Sequence, residues 1–89
     1  MALLATNELG KEYSGGVRFI MMDSDARVVC WVSGEALDGV EDGNPSPQER
    51  VMRFERHRVK IEQLAREKYR AGEKSPIVMT YDLGNCSNR

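Results

Sequence analysis

Cysteine and histidine are scarce in this sequence, and their positions exclude two kinds of small-protein scaffold. The 89-residue chain contains two cysteines, Cys30 and Cys86, and one histidine, His57. A secreted chain of this length that relied on disulfides would carry far more cysteine. Neither cysteine has a second cysteine or a histidine at the short interval of a zinc site. We therefore predict no disulfide framework, no metal and no cofactor.

Long apolar runs are also absent. No stretch approaches the roughly 18 consecutive apolar residues of a membrane-spanning helix. The apolar start, Met1 to Ala5, has no basic region before it and is followed at once by Asn7 and Glu8, so it does not resemble a signal peptide. These absences predict a cytoplasmic protein with no membrane partner.

The whole chain has little excess of either charge, but its first and middle parts carry net charges of opposite sign. The net charge of −1 excludes a globally basic protein that coats nucleic acid. Residues 1–45 carry three basic and eight acidic residues, whereas residues 46–74 carry nine basic and five acidic residues. This dipolar arrangement would allow the basic part of one molecule to contact the acidic part of another.

The chain is long enough for one domain, which we assign to residues 1–89. Its ordered core is expected over about residues 15–83, with flexible ends at residues 1–14 and 84–89. Whether residues 1–14 add a strand stays open.

A β-hairpin is the first element that the pattern predicts. The run from Val17 to Met22 and the run from Arg27 to Ser33 are rich in residues that favour strands, and a short polar turn separates them. The second strand is apolar on both faces, which is typical of a strand covered on both sides. Ser33 is then suited to cap a short helix that continues to about Asp38.

A long helix is the clearest local prediction. Ser46, Pro47 and Glu49 form a capping box at its start, and Gly72 marks its end. Its apolar face consists of Val51, Phe54, Ile61, Leu64, Ala65 and Tyr69, whereas Met52 and Val59 lie opposite. The run from Pro76 to Leu83 predicts a last strand. We therefore predict an α+β fold in which a small antiparallel sheet, made of the hairpin and this C-terminal strand, packs against one long helix preceded by a short helix.

Three groups of residues together resemble a known family. The hairpin opens with Val17-x-Phe19, and the turn after it reads Cys30-x-Val32-Ser33-x-Glu35-Ala36-Leu37. The long helix contains Phe54-x-x-His57-Arg58-x-x-Ile61-x-x-x-Ala65 and ends in Tyr69-x-x-Gly72. Over roughly Tyr13 to Leu83, the chain is similar to the bacterial family known as domain of unknown function 1488. The resemblance implies a compact α+β domain and no particular activity.

His57 and Arg58 are candidate contacts for an anionic ligand. They flank the apolar face of the long helix, and an arginine there could bind a carboxylate or a phosphate through two hydrogen bonds. The alternative, which we favour, is structural: the stem of Arg58 lies on the core, and His57 binds a backbone carbonyl.

Arg53, Arg56 and Lys60 form a basic stripe on one flank of the same helix. Such a stripe could contact the phosphates of a nucleic acid. Glu49 and Glu67 lie on the same flank, however, and no aromatic residue alternates with the cations to stack on bases. A solvated helix face is the interpretation that we favour.

No set of residues in the sequence predicts catalysis. Cys30 lies in the most apolar run, where a free cysteine behaves as a small hydrophobic residue. We therefore name no catalytic residue and favour a non-enzymatic protein-interaction domain, with a homodimer as one form of that interaction. The alternative function is weak nucleic-acid binding through the basic flank of the long helix.

Overall fold

The computed structural model describes residues 3–40, 46–80 and 82. In chain order these residues form β1 (Leu4–Ala5), β2 (Lys11–Tyr13), β3 (Gly16–Asp23), β4 (Ala26–Val32), α1 (Gly34–Val40), α2 (Pro47–Arg56), α3 (Arg58–Arg70) and β5 (Ile77–Val78). The fold is therefore α+β, as predicted. None of the helices in this part of the chain is long and apolar enough to cross a membrane.

The predicted hairpin is confirmed as the centre of the sheet. β3 and β4 pair antiparallel from Val17 opposite Val32 to Asp23 opposite Ala26. Ser24 lies in the turn with a positive φ of 55°. Short polar residues tolerate this left-handed conformation better than bulky residues do, so the local sequence suits the turn.

The sheet is mixed, which corrects the predicted antiparallel sheet. Its strand order is β1-β3-β4-β5, and β2 also pairs with β3. β5 runs parallel to β4, with Trp31 opposite Ile77 and Val32 opposite Val78. A parallel neighbour needs a long crossover connection, and the helices between β4 and β5 supply it. The question left open for residues 1–14 is answered by β1 and β2, which both pair antiparallel with β3.

Both predicted N-caps are present. The Ser33 hydroxyl accepts a hydrogen bond from the backbone N–H of Ala36, with 3.0 Å between the nitrogen and Oγ, at the start of α1. The Ser46 hydroxyl accepts one from the N–H of Glu49 at the start of α2. These bonds satisfy N–H groups that have no partner within the first turn of a helix.

The predicted long helix is divided at His57 into α2 and α3. The backbone N–H of His57 donates to the carbonyl oxygens of both Arg53 and Phe54, and its φ of −110° lies outside the helical range. The cause is tertiary, because α2 packs on β2 and β3 whereas α3 packs on β5. The predicted end is confirmed: α3 stops at Arg70, and Gly72 follows with a φ of 112°.

The hydrophobic core lies between one face of the sheet and the helices. This inner face contributes alternate residues of β3 and β4, and the rings of Phe19 and Phe54 lie 4.8 Å apart between centroids. Ile61 and Ala65 of α3 are fully buried in the same cluster. The described helices therefore cover only the inner face of the sheet.

Several predicted features fall outside the described residues. They are the loop 41–45, the tail 84–89 that contains Cys86, and positions 81 and 83 of the predicted last strand. Within the described part, the last strand is limited to Ile77 and Val78. Met79 lies between this strand and the helical residues Thr80 and Asp82, and its N–H donates to the carboxylate of Asp82.

Candidate functional site

Arg58 lies in an internal network of ion pairs. Its guanidinium donates to Glu62 at 2.7 Å and to both carboxylate oxygens of Glu55 at 3.2 Å, and its side chain is 14% exposed. It also stacks over the ring of Phe54 and approaches the carbonyl oxygen of Thr6. Burial lowers the pKa of Arg58, but the hydrogen bonds that it donates to Glu62 and Glu55, together with the charges of these carboxylates, outweigh burial and leave the pKa above its ordinary value.

This network agrees with the structural interpretation of Arg58, and contact of His57 and Arg58 with an anionic ligand stays a prediction. Two carboxylates already occupy its donors, so an external anion would have to displace them. Glu55 also accepts a hydrogen bond from the backbone N–H of Gly10, which ties the segment between β1 and β2 to the helices. His57 lies half-buried at the junction of α2 and α3, where its carbonyl oxygen accepts from the N–H of Ile61.

The predicted basic stripe is not a continuous exposed surface. Arg53 is 4% exposed, and its guanidinium donates to the carbonyl oxygens of Leu37 and Asp38 near the end of α1. Arg56 is ion-paired with Glu49 at 3.0 Å. Lys60 is exposed on α3. The structure therefore separates the three residues into a buried contact, an ion pair and one exposed cation.

Cys30 has no environment suited to nucleophilic chemistry. Its side chain is fully buried, and burial, together with the nearby charge of Glu62, raises the pKa of the thiol to about 12. A thiol with so high a pKa is almost wholly protonated at neutral pH. Among the described residues, no group of His, Cys, Asp and Glu side chains is arranged to hold a metal ion.

The outer face of the sheet carries a cluster of apolar and aromatic side chains, together with one arginine, that the described helices leave uncovered. We call this cluster the outer-face cluster, and it consists of Tyr13, Arg18, Val29, Trp31 and Ile77. Tyr13 is 56% exposed, Val29 43% and Ile77 44%. Large apolar residues that are exposed singly are common on proteins, whereas a contiguous group on one face marks an interaction site.

Trp31 is held flat against the sheet. Its indole nitrogen donates to the carbonyl oxygen of Tyr13 at 2.8 Å. Gly16 lies directly beneath the ring, because a Cβ at that position would be only 2.7 Å from the indole. The ring is therefore fixed in one orientation by a hydrogen bond and by the missing side chain below it. An aromatic group fixed in this way loses little entropy when a partner packs on it.

Arg18 stands next to Trp31 on the same face. It is the direct cross-strand neighbour of Trp31 in the sheet, and its guanidinium lies 5.5 Å from the centre of the Tyr13 ring. The cluster surrounds a shallow hollow of about 290 Å³. Such a hollow is at the lower limit of the size of ligand pockets and suits a single large side chain.

A second hollow, of about 170 Å³, adjoins the first and shares Arg18 and Val29 with it. Its walls include the cations Lys11, Arg18 and Arg27 and the carboxylate of Glu8, which is ion-paired with Arg27. The hydrogen bond from Arg27 lowers the pKa of Glu8, burial opposes this shift, and the charges of Arg27, Lys11 and Arg18 lower the pKa further. The three cations therefore give this small region a positive charge. We call it the cationic hollow, and its charged residues are Lys11, Arg18, Arg27 and Glu8.

Sequence reasoning missed this surface. Apolar residues on both faces of β4 predict a strand that is covered on both sides, whereas the described helices cover one side. The informative signal was Val29 and Trp31, which alternate with the core residues Val28, Cys30 and Val32 and therefore face outwards. Alternate residues of β4 point to opposite faces of the sheet, and both sets are apolar. Because the described helices cover only one face, the set on the other face forms an exposed apolar surface.

Comparison with known proteins identifies relatives without a known activity. The sequence matches a family model described as "Protein of unknown function (DUF1488)" over residues 11–79. The fold is similar to the crystal structure of a protein of unknown function from the DUF1488 family of Shewanella loihica PV-4, with a TM-score of 0.68 and 19% sequence identity. This match covers 86% of the present chain and 91% of the other chain. No curated protein matches the chain.

Proposed function

The chain belongs to the DUF1488 family of proteins of unknown function, and we propose that it is a non-enzymatic protein-interaction domain of the bacterial cytoplasm. The observation that carries this proposal is the outer-face cluster, which the described helices leave exposed on an otherwise well-packed domain. Trp, Tyr and Arg are the residue types that most often dominate the binding energy of protein interfaces, and the cluster contains one of each.

The roles of the other reactive groups support a binding function. Arg58 is engaged with two carboxylates, and Cys30 is buried with a raised pKa. The hydroxyl of Tyr69 donates to the carboxylate of Asp23 and so joins α3 to the hairpin. Each of these groups stabilises the fold, whereas the side chains of the outer-face cluster are accessible to a partner.

The nucleic-acid alternative has weaker support on the helix flank. Phosphate contacts need exposed cations, and of the three predicted residues Arg53 is buried and Arg56 is paired with Glu49. Lys60 alone would supply little affinity. We therefore place the interaction surface on the sheet and not on the flank of α2 and α3.

A partner-capture experiment with matched variants tests the proposal. The tagged full chain is expressed at native level in its own cells, treated with nuclease and purified. The variant Val29→Glu changes the outer-face cluster, whereas Val59→Glu makes the same change at a position on α3 that is 78% exposed. We expect a specific set of proteins to be enriched with the wild type and with Val59→Glu and to be lost with Val29→Glu. Equal enrichment with both variants, or none with the wild type, would overturn the proposal.

A further inference from the structure

We infer that the outer face of the sheet binds a short acidic segment of a partner protein, with one large apolar side chain in the outer-face cluster and an adjacent carboxylate in the cationic hollow. This inference rests on the proposed function and adds the chemistry of the partner. Its geometric basis is that the two hollows adjoin and share Arg18 and Val29.

The apolar half of the site is suited to one anchor side chain. Trp31 is half-buried, and its indole is held by the hydrogen bond from its nitrogen and by its contact with Gly16. Val29 and Ile77 flank it from β4 and β5 and are each exposed by more than two fifths. A hollow of about 290 Å³ accepts one aromatic or large aliphatic side chain, but it is too small for an extended hydrophobic interface.

The cationic half of the site favours a negatively charged group. Lys11 and Arg18 are directly opposite each other in the register of β2 and β3. Like charges in that relation repel each other and destabilise a sheet. Arg27 adds a third cation, and Glu8 supplies the one carboxylate in the lining of this hollow. A carboxylate from a partner would offset the repulsion between these cations, so charge complementarity would favour binding of an acidic partner.

The size and surroundings of the site argue against a long polyanion. The positive charge is confined to three side chains, whereas residues 1–45 as a whole hold eight acidic residues and three basic ones. A nucleic acid would extend most of its phosphates beyond these three side chains. One or two carboxylates on a short peptide would not.

A second copy of the chain is also a poor occupant. Two identical outer faces related by a two-fold axis through the cationic hollow would bring Lys11, Arg18 and Arg27 of each molecule towards the same three cations of the other. Like charges at the centre of such an interface oppose association. The partner is therefore a different protein, which supplies the carboxylates for this site.

Trp31 is the single tryptophan of the chain, so its fluorescence reports directly on the site. The full chain is titrated with a capped peptide Glu-Asp-Phe-Asp-Glu, which contains no tryptophan. Three further probes are titrated in the same way: the Ala analogue at the central position, the charge-reversed peptide Lys-Lys-Phe-Lys-Lys, and a short oligothymidylate. We expect a saturable change in emission with the acidic Phe peptide, at least about tenfold tighter than with the Ala analogue or the charge-reversed peptide.

Two exposed lysines provide the matched variants. Lys11→Gln removes a cation of the hollow, and Lys60→Gln removes one from α3, away from the sheet. We expect Lys11→Gln to weaken binding of the acidic peptide by about threefold to tenfold and Lys60→Gln to leave it unchanged.

Three results would overturn the inference: no saturable change with the acidic peptide, equal binding of the charge-reversed peptide, or saturable binding of the oligothymidylate alone. The last result would assign the face to single-stranded nucleic acid. If the peptide fails while partner capture still depends on Val29, the proposed function stands and only the acidic chemistry of the partner is wrong.

Discussion

At the scale of single residues, Arg58 and Ser33 make contacts that hold the fold together. Arg58 joins Glu55 and Glu62 and contacts the ring of Phe54, while Ser33 caps α1. Ser33, Phe54 and Arg58 are among the residues on which the family resemblance rests. That resemblance therefore reports how the domain is built, and this explains why it could indicate the fold without indicating an activity.

Replacement of Arg58 by methionine tests its role in the ion-pair network. Glu62 is 4% exposed, and Arg58→Met would leave its carboxylate buried without this partner. We expect the free energy of unfolding to fall by about 3–5 kcal/mol, and the double variant Arg58→Met, Glu62→Met to recover most of the loss. Urea unfolding measures both values. Arg70→Met, at an exposed position of α3, is the control and should change stability by less than about 0.5 kcal/mol. A similarly small effect of Arg58→Met would contradict this role.

The contact between Tyr69 and Asp23 predicts a dependence of stability on alkaline pH. The Tyr69 hydroxyl donates to the Asp23 carboxylate, and this hydrogen bond raises the pKa of Tyr69 above its ordinary value of 10.0. The contact stabilises the protonated hydroxyl, so its stabilisation is fully present below the pKa of the unfolded chain and is lost as pH rises through the folded pKa. We expect wild type to be more stable than Tyr69→Phe at neutral pH and to lose that advantage above about pH 10. Urea unfolding of both proteins at neutral pH and above about pH 10 measures this difference in stability. A difference that does not change with pH would contradict the role of the contact between Tyr69 and Asp23.

At the scale of elements, local signals were predictable and tertiary ones were not. The turn around Ser24 and the caps at Ser33 and Ser46 depend on neighbouring residues alone, and sequence reasoning placed them correctly. The break at His57 has no proline or glycine to announce it, since it follows from the packing of α2 and α3 on different strands. The parallel direction of β5 depends on how the chain returns across the helices, which no pattern within Ile77 and Val78 encodes.

Two glycine substitutions test the packing of the outer face at this scale. At Gly16, an added Cβ would lie 2.2 Å from the carbonyl oxygen of Val32 and 2.7 Å from the Trp31 ring. At Gly39, within α1, it would meet no atom of the described residues within 4 Å. We expect Gly16→Ala to destabilise the protein by about 1–3 kcal/mol and to shift the emission of Trp31, whereas Gly39→Ala stabilises by about 0.5–1 kcal/mol. Thermal unfolding and fluorescence measure these effects. Equal stability of the two variants would contradict the described position of Trp31.

At the scale of the whole molecule, the described helices cover one face of the sheet, and the described residues leave the other face exposed. The sequence contained the evidence in Val29 and Trp31, but their apolar character alone could not distinguish a second covering layer from an exposed surface. The cationic hollow was harder to foresee, because Lys11, Arg18 and Arg27 come from three different strands. Their proximity is a product of the strand register, which sequence spacing does not reveal.

The charge on the outer face predicts the oligomeric state of the isolated chain. Because two outer faces that met with their cationic hollows together would repel each other, we expect a monomer of 10.1 kDa at concentrations of about 100 μM. Light scattering coupled to size-exclusion chromatography measures the molar mass. A dimer that Val29→Glu disrupts would make a second copy the occupant of the outer face, in agreement with the homodimer considered from the sequence and against an acidic partner.

Site-specific photo-cross-linking in living cells tests most directly whether the outer face of the sheet is the interaction surface. A photoreactive amino acid replaces Val29 in one strain and Val59 in another, and both positions are exposed. We expect discrete adducts between the chain and a different protein from position 29 and none of them from position 59. The same adducts from both positions, or adducts from position 59 alone, would show that the sheet is not the surface on which this domain acts.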